Sequence, residues 1–376
     1  MAIATQRLLV TAPLILICGC TILEPDVEQF ADLDAEIAQE VTANGIPSVS
    51  AWVVKDDAIV WERYYGYADV ASRRPADRTT IYGLASISKL IVATAVMQLV
   101  EQGALRLDDD VNTHLPFSVR NPAFPNDPVT PRHLLTHSSG LAWPVDDHTV
   151  PGYYERYPFD TSPPLGVWLP DYISPSGSHF TPAVWKHHRP GDKELYSNIG
   201  VALLAYVVES ITAMDFGEYC RVSIFEPLDM PSTSFHYADL ETTRIATLYD
   251  SPTRVITPYR FRGYPSGDLK STIGEFSHFM IAYMNGGVYR DNRILSEASI
   301  DELLETQNAI SGLCLIWNRT VGEWYGHAGG KAGVSAYVEF QRDKNVGLMV
   351  VSNRHAPVYP GGRIHALLRR VAEEWM

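Results

Sequence analysis

Strand-like sequence sits near both ends of this chain, with helical or irregular sequence between, so any fold it adopts has to accommodate strands from two distant segments. Residues 48–54 and 58–67 read as strands about Lys55-Asp56-Asp57, a hairpin. Near the other end, residues 325–338 form a glycine-rich strand edge. A helix precedes the hairpin: within residues 26–44, Phe30, Leu33, Ile37 and Val41 recur at helical spacing, and Gly45 is a C-cap. With 20% charged residues and no low-complexity tract, wholesale disorder is excluded.

The stretch richest in chemistry is Ala85-Ser86-Ile87-Ser88-Lys89, which opens an apolar run ending before Gly103. If Ser86 begins a helix, Lys89 lies one turn on and on the same face, and its amine reaches the serine hydroxyl. A serine hydroxyl is a poor nucleophile until a neighbour removes its proton. A lysine can do so only when desolvation or a nearby cation lowers its pKa. Lys89 is the only lysine in the chain with a serine three residues before it. On this motif alone the plainer reading, Ser86 as a helix N-cap, stays open.

Two further segments supply what such a serine needs. Tyr196-Ser197-Asn198 leads into a helix over residues 199–211 and offers a phenol to shuttle a proton and an amide to hold a substrate carbonyl or amide. A second copy of the pattern, Tyr283-Met284-Asn285, closes a helix over residues 272–284 whose Thr272 and Glu275 match a capping box, so Tyr196 is the candidate. In His327-Ala328-Gly329-Gly330 the glycines let backbone approach a substrate, and an exposed N–H there can form half of an oxyanion hole. The Gly-x-Ser-x-Gly nucleophile elbow is absent.

Other features read as structural. Asp108-Asp109-Asp110 lacks the glycine and distant glutamate of an EF-hand loop and reads as a solvated turn. His133 and His137, on a short helix over residues 129–140 with Pro131 in its first turn, lack the glutamate of a His-Glu-x-x-His zinc site. No metal and no cofactor are expected. Residues 141–189 differ in composition: Trp143, Tyr157, Trp168, Tyr172 and Trp185 stand among many prolines with little helical or strand period. We read this stretch as an ordered wall over the active site, with Trp143 and Trp185 as substrate contacts; a packed insertion without substrate contact is the alternative.

The first residues point to export. Arg7, the apolar run 8–17 and Cys18-Gly19-Cys20 describe a secretory signal over residues 1–19, too short to span a membrane. Ile17-Cys18-Gly19-Cys20 is also similar to the bacterial lipoprotein signal, in which the last cysteine is acylated, although Cys18 stands where a small non-thiol residue is usual. Thr21 is not the aspartate of an inner-membrane retention signal, so the expectation is a protein on the periplasmic side, lipid-anchored to the outer membrane through Cys20. A net charge of −14 argues against nucleic acid as a partner. Cys220 and Cys314 are too few for a disulfide scaffold, and whether they pair is open.

In this order, Ser86-x-x-Lys89, Tyr196-x-Asn198 and His327-x-Gly329 resemble the motifs of the class C β-lactamase and penicillin-binding-protein-like serine hydrolases, a superfamily that includes esterases and D,D-carboxypeptidases. The Arg132-His133-Leu134-Leu135-Thr136-His137 segment, Ile224-Phe225-Glu226-Pro227-Leu228, Gly267-Asp268-Leu269-Lys270-Ser271-Thr272 and residues 326–353 extend the likeness over essentially everything after Asp26. The resemblance implies an α+β fold of the β-lactamase/transpeptidase type: an antiparallel sheet flanked by helices from residues 26–105 and 265–376, with a mostly helical part over 106–264 and Ser86 at the cleft between them. It also implies roles. Ser86 attacks a carbonyl, Lys89 with Tyr196 takes its proton, Tyr196 passes a proton to the leaving group and later activates water, Asn198 orients substrate, and the N–H groups of Ser86 and Gly330 correspond to the oxyanion hole.

One departure bears on substrate. Many β-lactamases carry Lys-Thr-Gly where this chain has His327-Ala328-Gly329. A lysine gives a permanent charge for a substrate carboxylate, whereas a histidine of pKa about 6.5 is largely neutral at pH 7. Family members with histidine here resemble esterases and some D,D-peptidases; Lys331 is near enough in sequence to compensate. The leading expectation is therefore an exported, esterase-like serine hydrolase acting on a small ester, amide or peptidoglycan-derived substrate. The alternatives are a penicillin-binding D,D-carboxypeptidase or β-lactamase and, from another class, a catalytically silent binding lipoprotein. The intact set Ser86, Lys89, Tyr196 and Asn198 argues against silence.

Overall fold

The computed structural model describes residues 30–142, 155–308, 311–356, 358 and 362–376. Cys20, the expected signal sequence over residues 1–19 and Trp143 lie outside the described residues.

Helix α1 (Ala31–Ala43) buries Leu33, Ile37 and Val41 and ends where Gly45 takes φ +58°, the left-handed turn that favours glycine. The hairpin follows as β1 (Ser48–Lys55) and β2 (Ala58–Asp69), then a short β3 (Arg74–Pro75). The main helices between the two ends are α2 (Ser88–Glu101), α3 (Pro131–Leu135), α4 (Leu165–Ile173), α5 (Asn198–Thr212) and α6 (Ile273–Met284). The chain closes with β4 (Asn318–Thr320), β5 (Trp324–Lys331), β6 (Val334–Gln341), β7 (Val346–Ser352) and α7 (Arg363–Glu374). These seven strands form one antiparallel sheet in the order β4-β5-β6-β7-β1-β2-β3. Its centre joins the two ends of the chain, with Val49 opposite Ser352 and Lys55 opposite Val346.

Side chains alternate between the faces of a strand, so β1 is buried on both. Ala51, Val53, Leu348 and Val350 face α1 and α7, packing with Ile37 and Leu368. Trp52, Val338, Met349 and Val351 face the other way into a core continuous with the helical part. There the Trp52 indole donates to Ile273 O of α6 at 2.8 Å. Every residue of α2 from Ser88 to Leu99 is buried, as an all-round apolar helix requires.

Two segments differ from the sequence expectation. The aromatic stretch contains α4, which buries Leu165, Trp168, Leu169, Tyr172 and Ile173 at helical spacing; Pro170 inside it interrupts the pattern that would announce it. Helix α3 ends at Leu135, and His137 beyond it takes φ +53°, so His133 and His137 do not share a helical face. Asp108 and Asp110 are held by Arg132 and Arg120 respectively. Cys220 and Cys314 are both buried free thiols, which settles their pairing.

Candidate active site

Ser86 lies in a single 3-10 turn, Ala85–Ile87, that runs directly into α2. The residue before it, Ala85, is held at φ +46°, a conformation that costs a non-glycine residue about 1–3 kcal/mol and persists only where its surroundings impose it. They do so here. Leu84 N–H donates to Leu269 O at 2.9 Å, and Ser88 Oγ donates to Ala85 O while accepting from Leu269 N–H at 3.0 Å. Strand β5 then passes so close that a Cβ on Gly329 would lie 2.2 Å from Leu84 O and 3.2 Å from Ser86 N, so only glycine fits.

Ser86 caps no helix: neither the turn nor α2 has a side-chain cap bond. Instead Lys89 Nζ donates to Ser86 Oγ at 3.0 Å and to Ser266 O. Lys89 is fully buried, and no carboxylate pairs with it among the described residues. Burial holds its pKa well below the usual lysine range. The Tyr196 side chain also hydrogen-bonds Ser86, and burial pushes that phenol up, so it stays protonated at neutral pH. Its ring centre lies 5.0 Å from Lys89 Nζ.

The start of α5 positions the second motif. Ser197 is the N-cap, its Oγ accepting from Gly200 N–H at 3.0 Å, which sets Tyr196 before the cap and Asn198 at the first helical position. Asn198 Oδ1 is buried with no partner among the described residues. Next to it, the His137 ring lies 4.4 Å from the Tyr196 ring, and its Nδ1 accepts from Ser197 N–H at 3.3 Å. Burial first, then Lys89 and His327, holds His137 far below the usual histidine range. On β5, His327 Nδ1 donates to Ala328 O at 2.7 Å. Burial, followed by the Lys89 charge, pushes His327 down to about 3, so it is neutral at pH 7.

Ser86 and Asn198 open onto a cavity of about 270 Å³ whose lining includes Gly330, Ser266, the α4 aromatics Trp168 and Tyr172, and Tyr259 and Phe261. Trp185, read from sequence as a substrate contact, is not part of this lining. Its indole donates to Ile173 O at 3.1 Å, and it lines a separate cleft with Phe180 and Pro182. Trp143 lies outside the described residues. Lys331 lines the cavity but is paired with Asp268, so it does not stand free in place of the missing third-motif lysine. The rival Tyr283 is buried in α6 with its hydroxyl 2.7 Å from Thr94 Oγ1. Sequence reasoning passed over Tyr259, Phe261, Arg262, Arg156 and Ser266; the alternation Tyr259-Arg260-Phe261-Arg262 is the signal that could have found the first three.

A family model described as Beta-lactamase matches residues 33–372. The chain belongs to that family. Its members are serine hydrolases of the β-lactamase and penicillin-binding type. Protein flp of Staphylococcus aureus (strain N315) is 24% identical to this β-lactamase-family chain over 334 residues; the match covers 87% of this chain and 64% of flp, so the chain spans less than two thirds of that relative. The structure of the octameric penicillin-binding protein homologue from Pyrococcus abyssi superposes with a TM-score of 0.70 at 25% identity, covering 90% of this chain and 77% of that one. The D-alanine carboxypeptidase AmpC from Burkholderia cenocepacia has the same fold, with a TM-score of 0.72 at 18% identity over 93% of this chain and 100% of its own.

Proposed function

We propose that this β-lactamase-family protein is an exported, esterase-like hydrolase that works through an acyl-enzyme on Ser86. One observation carries the reading: a buried amine without a carboxylate partner among the described residues stands 3.0 Å from Ser86 Oγ at the edge of a cavity. Burial lowers the Lys89 pKa and raises that of Tyr196, so the amine rather than a phenolate is the base.

In the reaction, Ser86 Oγ bonds the carbonyl carbon as its proton moves to Lys89 Nζ. The oxyanion so formed is held by the N–H groups of Ser86 and Gly330. The ester C–O bond then breaks, and Tyr196 relays the proton from Lys89 to the departing oxygen. Water repeats the sequence on the acyl-enzyme and frees the acid. Asn198 orients the substrate, and His327 lines the third-motif strand as a neutral group.

At the third motif no free cation meets the substrate, since His327 carries no charge and Lys331 is committed to Asp268, and an ester needs none there. A second reading, D,D-carboxypeptidase or penicillin-binding protein, draws support from Asn198 Oδ1, an acceptor suited to an amide N–H and unpartnered among the described residues, and from the names of the two structural relatives. The chemistry is that of a small-molecule substrate without nucleic acid or cofactor. Residues 1–20 support export and a lipid anchor at Cys20, to be checked by incorporation of labelled palmitate that Cys20→Ala abolishes.

The deciding experiment follows p-nitrophenyl butyrate hydrolysis and, separately, the intact mass of the protein after a fluorescent penicillin. Rapid ester turnover without adduct supports the esterase; a stable adduct on Ser86 with slow ester turnover supports the carboxypeptidase. Inertness to both removes the enzymatic reading in favour of a silent binder.

A further inference from the structure

We propose that the Ser86 cavity selects substrates carrying a carboxylate and that Arg156 is the group that reads it, an inference that rests on the acyl-enzyme reading above. Three cations line the cavity: Lys331, Arg262 and Arg156. Two of them already meet a carboxylate of their own chain, Lys331 that of buried Asp268 and Arg262 that of Glu155. Arg156 meets none among the described residues. Its contact is with the face of Tyr259, the guanidinium carbon lying 4.4 Å from the ring centre.

That geometry is suited to recognition. A guanidinium laid on an aromatic face keeps the N–H donors along its edge available, and their fork matches the two oxygens of a carboxylate. The platform is itself fixed. Tyr259 is buried, and its hydroxyl donates to Ala332 O at 3.0 Å. Ala332 follows the end of β5, the strand that passes against Ser86, so the cation is tied through Tyr259 to the element that borders the reacting centre.

The charge balance points the same way. The chain carries a net −14, which repels an anion at long range, so attraction has to be supplied inside the cavity. His327 on β5 is neutral and supplies none. One unpaired cation matches one negative charge; a phosphate dianion would leave charge uncompensated. The third-motif lysine of related sites is thus replaced in function by an arginine from a different part of the chain.

The test uses the full-length protein and two matched ester pairs. Mono-p-nitrophenyl glutarate against p-nitrophenyl butyrate places the carboxylate on the acyl side; 3-carboxyphenyl butyrate against phenyl butyrate places it on the leaving group. The expected result is a higher kcat/KM for the carboxylate ester in at least one pair. Arg156→Gln then lowers that preference ratio roughly tenfold to a hundredfold, chiefly through KM. Arg156→Lys retains part of it, and Arg156→Glu shifts preference toward a choline ester. Arg290→Gln, which removes an exposed cation paired with Asp229, leaves the ratio as it was. Turnover of the neutral esters without preference for either carboxylate ester, or a preference that survives Arg156→Gln, overturns this inference and leaves the acyl-enzyme reading standing. Absence of turnover and of a Ser86 adduct with all four esters overturns both.

Discussion

On the α1 and α7 face of the sheet, buried Glu339 accepts from Arg369 Nε at 2.7 Å and from Tyr337 at 3.1 Å and lies 2.9 Å from His365 Nε2; on the other face, buried Lys89 bonds Ser86, and neither it nor buried His137 and His327 pairs with a carboxylate among the described residues. Burial raises the pKa of Glu339, yet the bonds from His365 and Arg369 outweigh it and keep the carboxyl below its usual range. The first cluster is matched in charge and ties β6 to α7. In the second, desolvation has no opposing charge to balance it, and the pKa of each of the three bases is moved down. A matched cluster is inert, and an unmatched one is kept reactive at a cost in stability.

The comparison breaks most directly at Lys89. Lys89→Met and Ser86→Ala are each expected to cut ester turnover by about a thousandfold or more, read as single-turnover rates. Lys89→Met is also expected to raise Tm by about 2 °C or more, because a desolvated amine is replaced by an apolar chain of similar length. The pH dependence has a definite sign. Between the lowered folded pKa and the unfolded value near 10.4, the unfolded chain binds a proton that the native one does not, so wild-type stability falls as pH falls through that window. The Tm advantage of Lys89→Met should therefore be larger at pH 7 than at pH 10; an equal or smaller advantage contradicts the unmatched-charge account.

Glu339→Leu is the complementary variant. It should lose about 3 kcal/mol in urea unfolding by stranding Arg369 and His365, while the folded fraction hydrolyses esters at the wild-type rate. A specific loss of activity at unchanged stability would show that the two faces are not independent. Next in size, Gly329→Ala should lower kcat about a hundredfold by pushing β5 away from Ser86, with a smaller effect on KM. The gentlest probe is His327→Lys, expected to improve penicillin acylation relative to ester hydrolysis by about tenfold at pH 7. No improvement would mean that charge at the third motif does not set the preference.

Much of this was legible in the chain. The hairpin about Asp56, the helix that starts beyond Ser86 and the strands near both ends follow from local periodicity and capping, which act over a few residues. The spacing of Ser86 and Lys89 requires only that a helix follow. Helix α4 was hidden because Pro170 breaks the local signal while Trp168 and Tyr172 gain their stability from packing in the core. Trp185 and Tyr259 show the same limit in opposite directions: both are aromatic residues in irregular stretches, and only the path of the chain sends one to Ile173 and the other to the cavity.

The sequence by itself determined the family, the elements and the residue types from which a serine hydrolase can be built, because those depend on short-range order. Tertiary structure decided the state of charge. Whether a lysine is a base or a cation depends on which carboxylates come within a few ångströms, and that is settled by strands and helices meeting across hundreds of residues: Lys331 with Asp268, Arg262 with Glu155, Lys89 and Arg156 with none among the described residues.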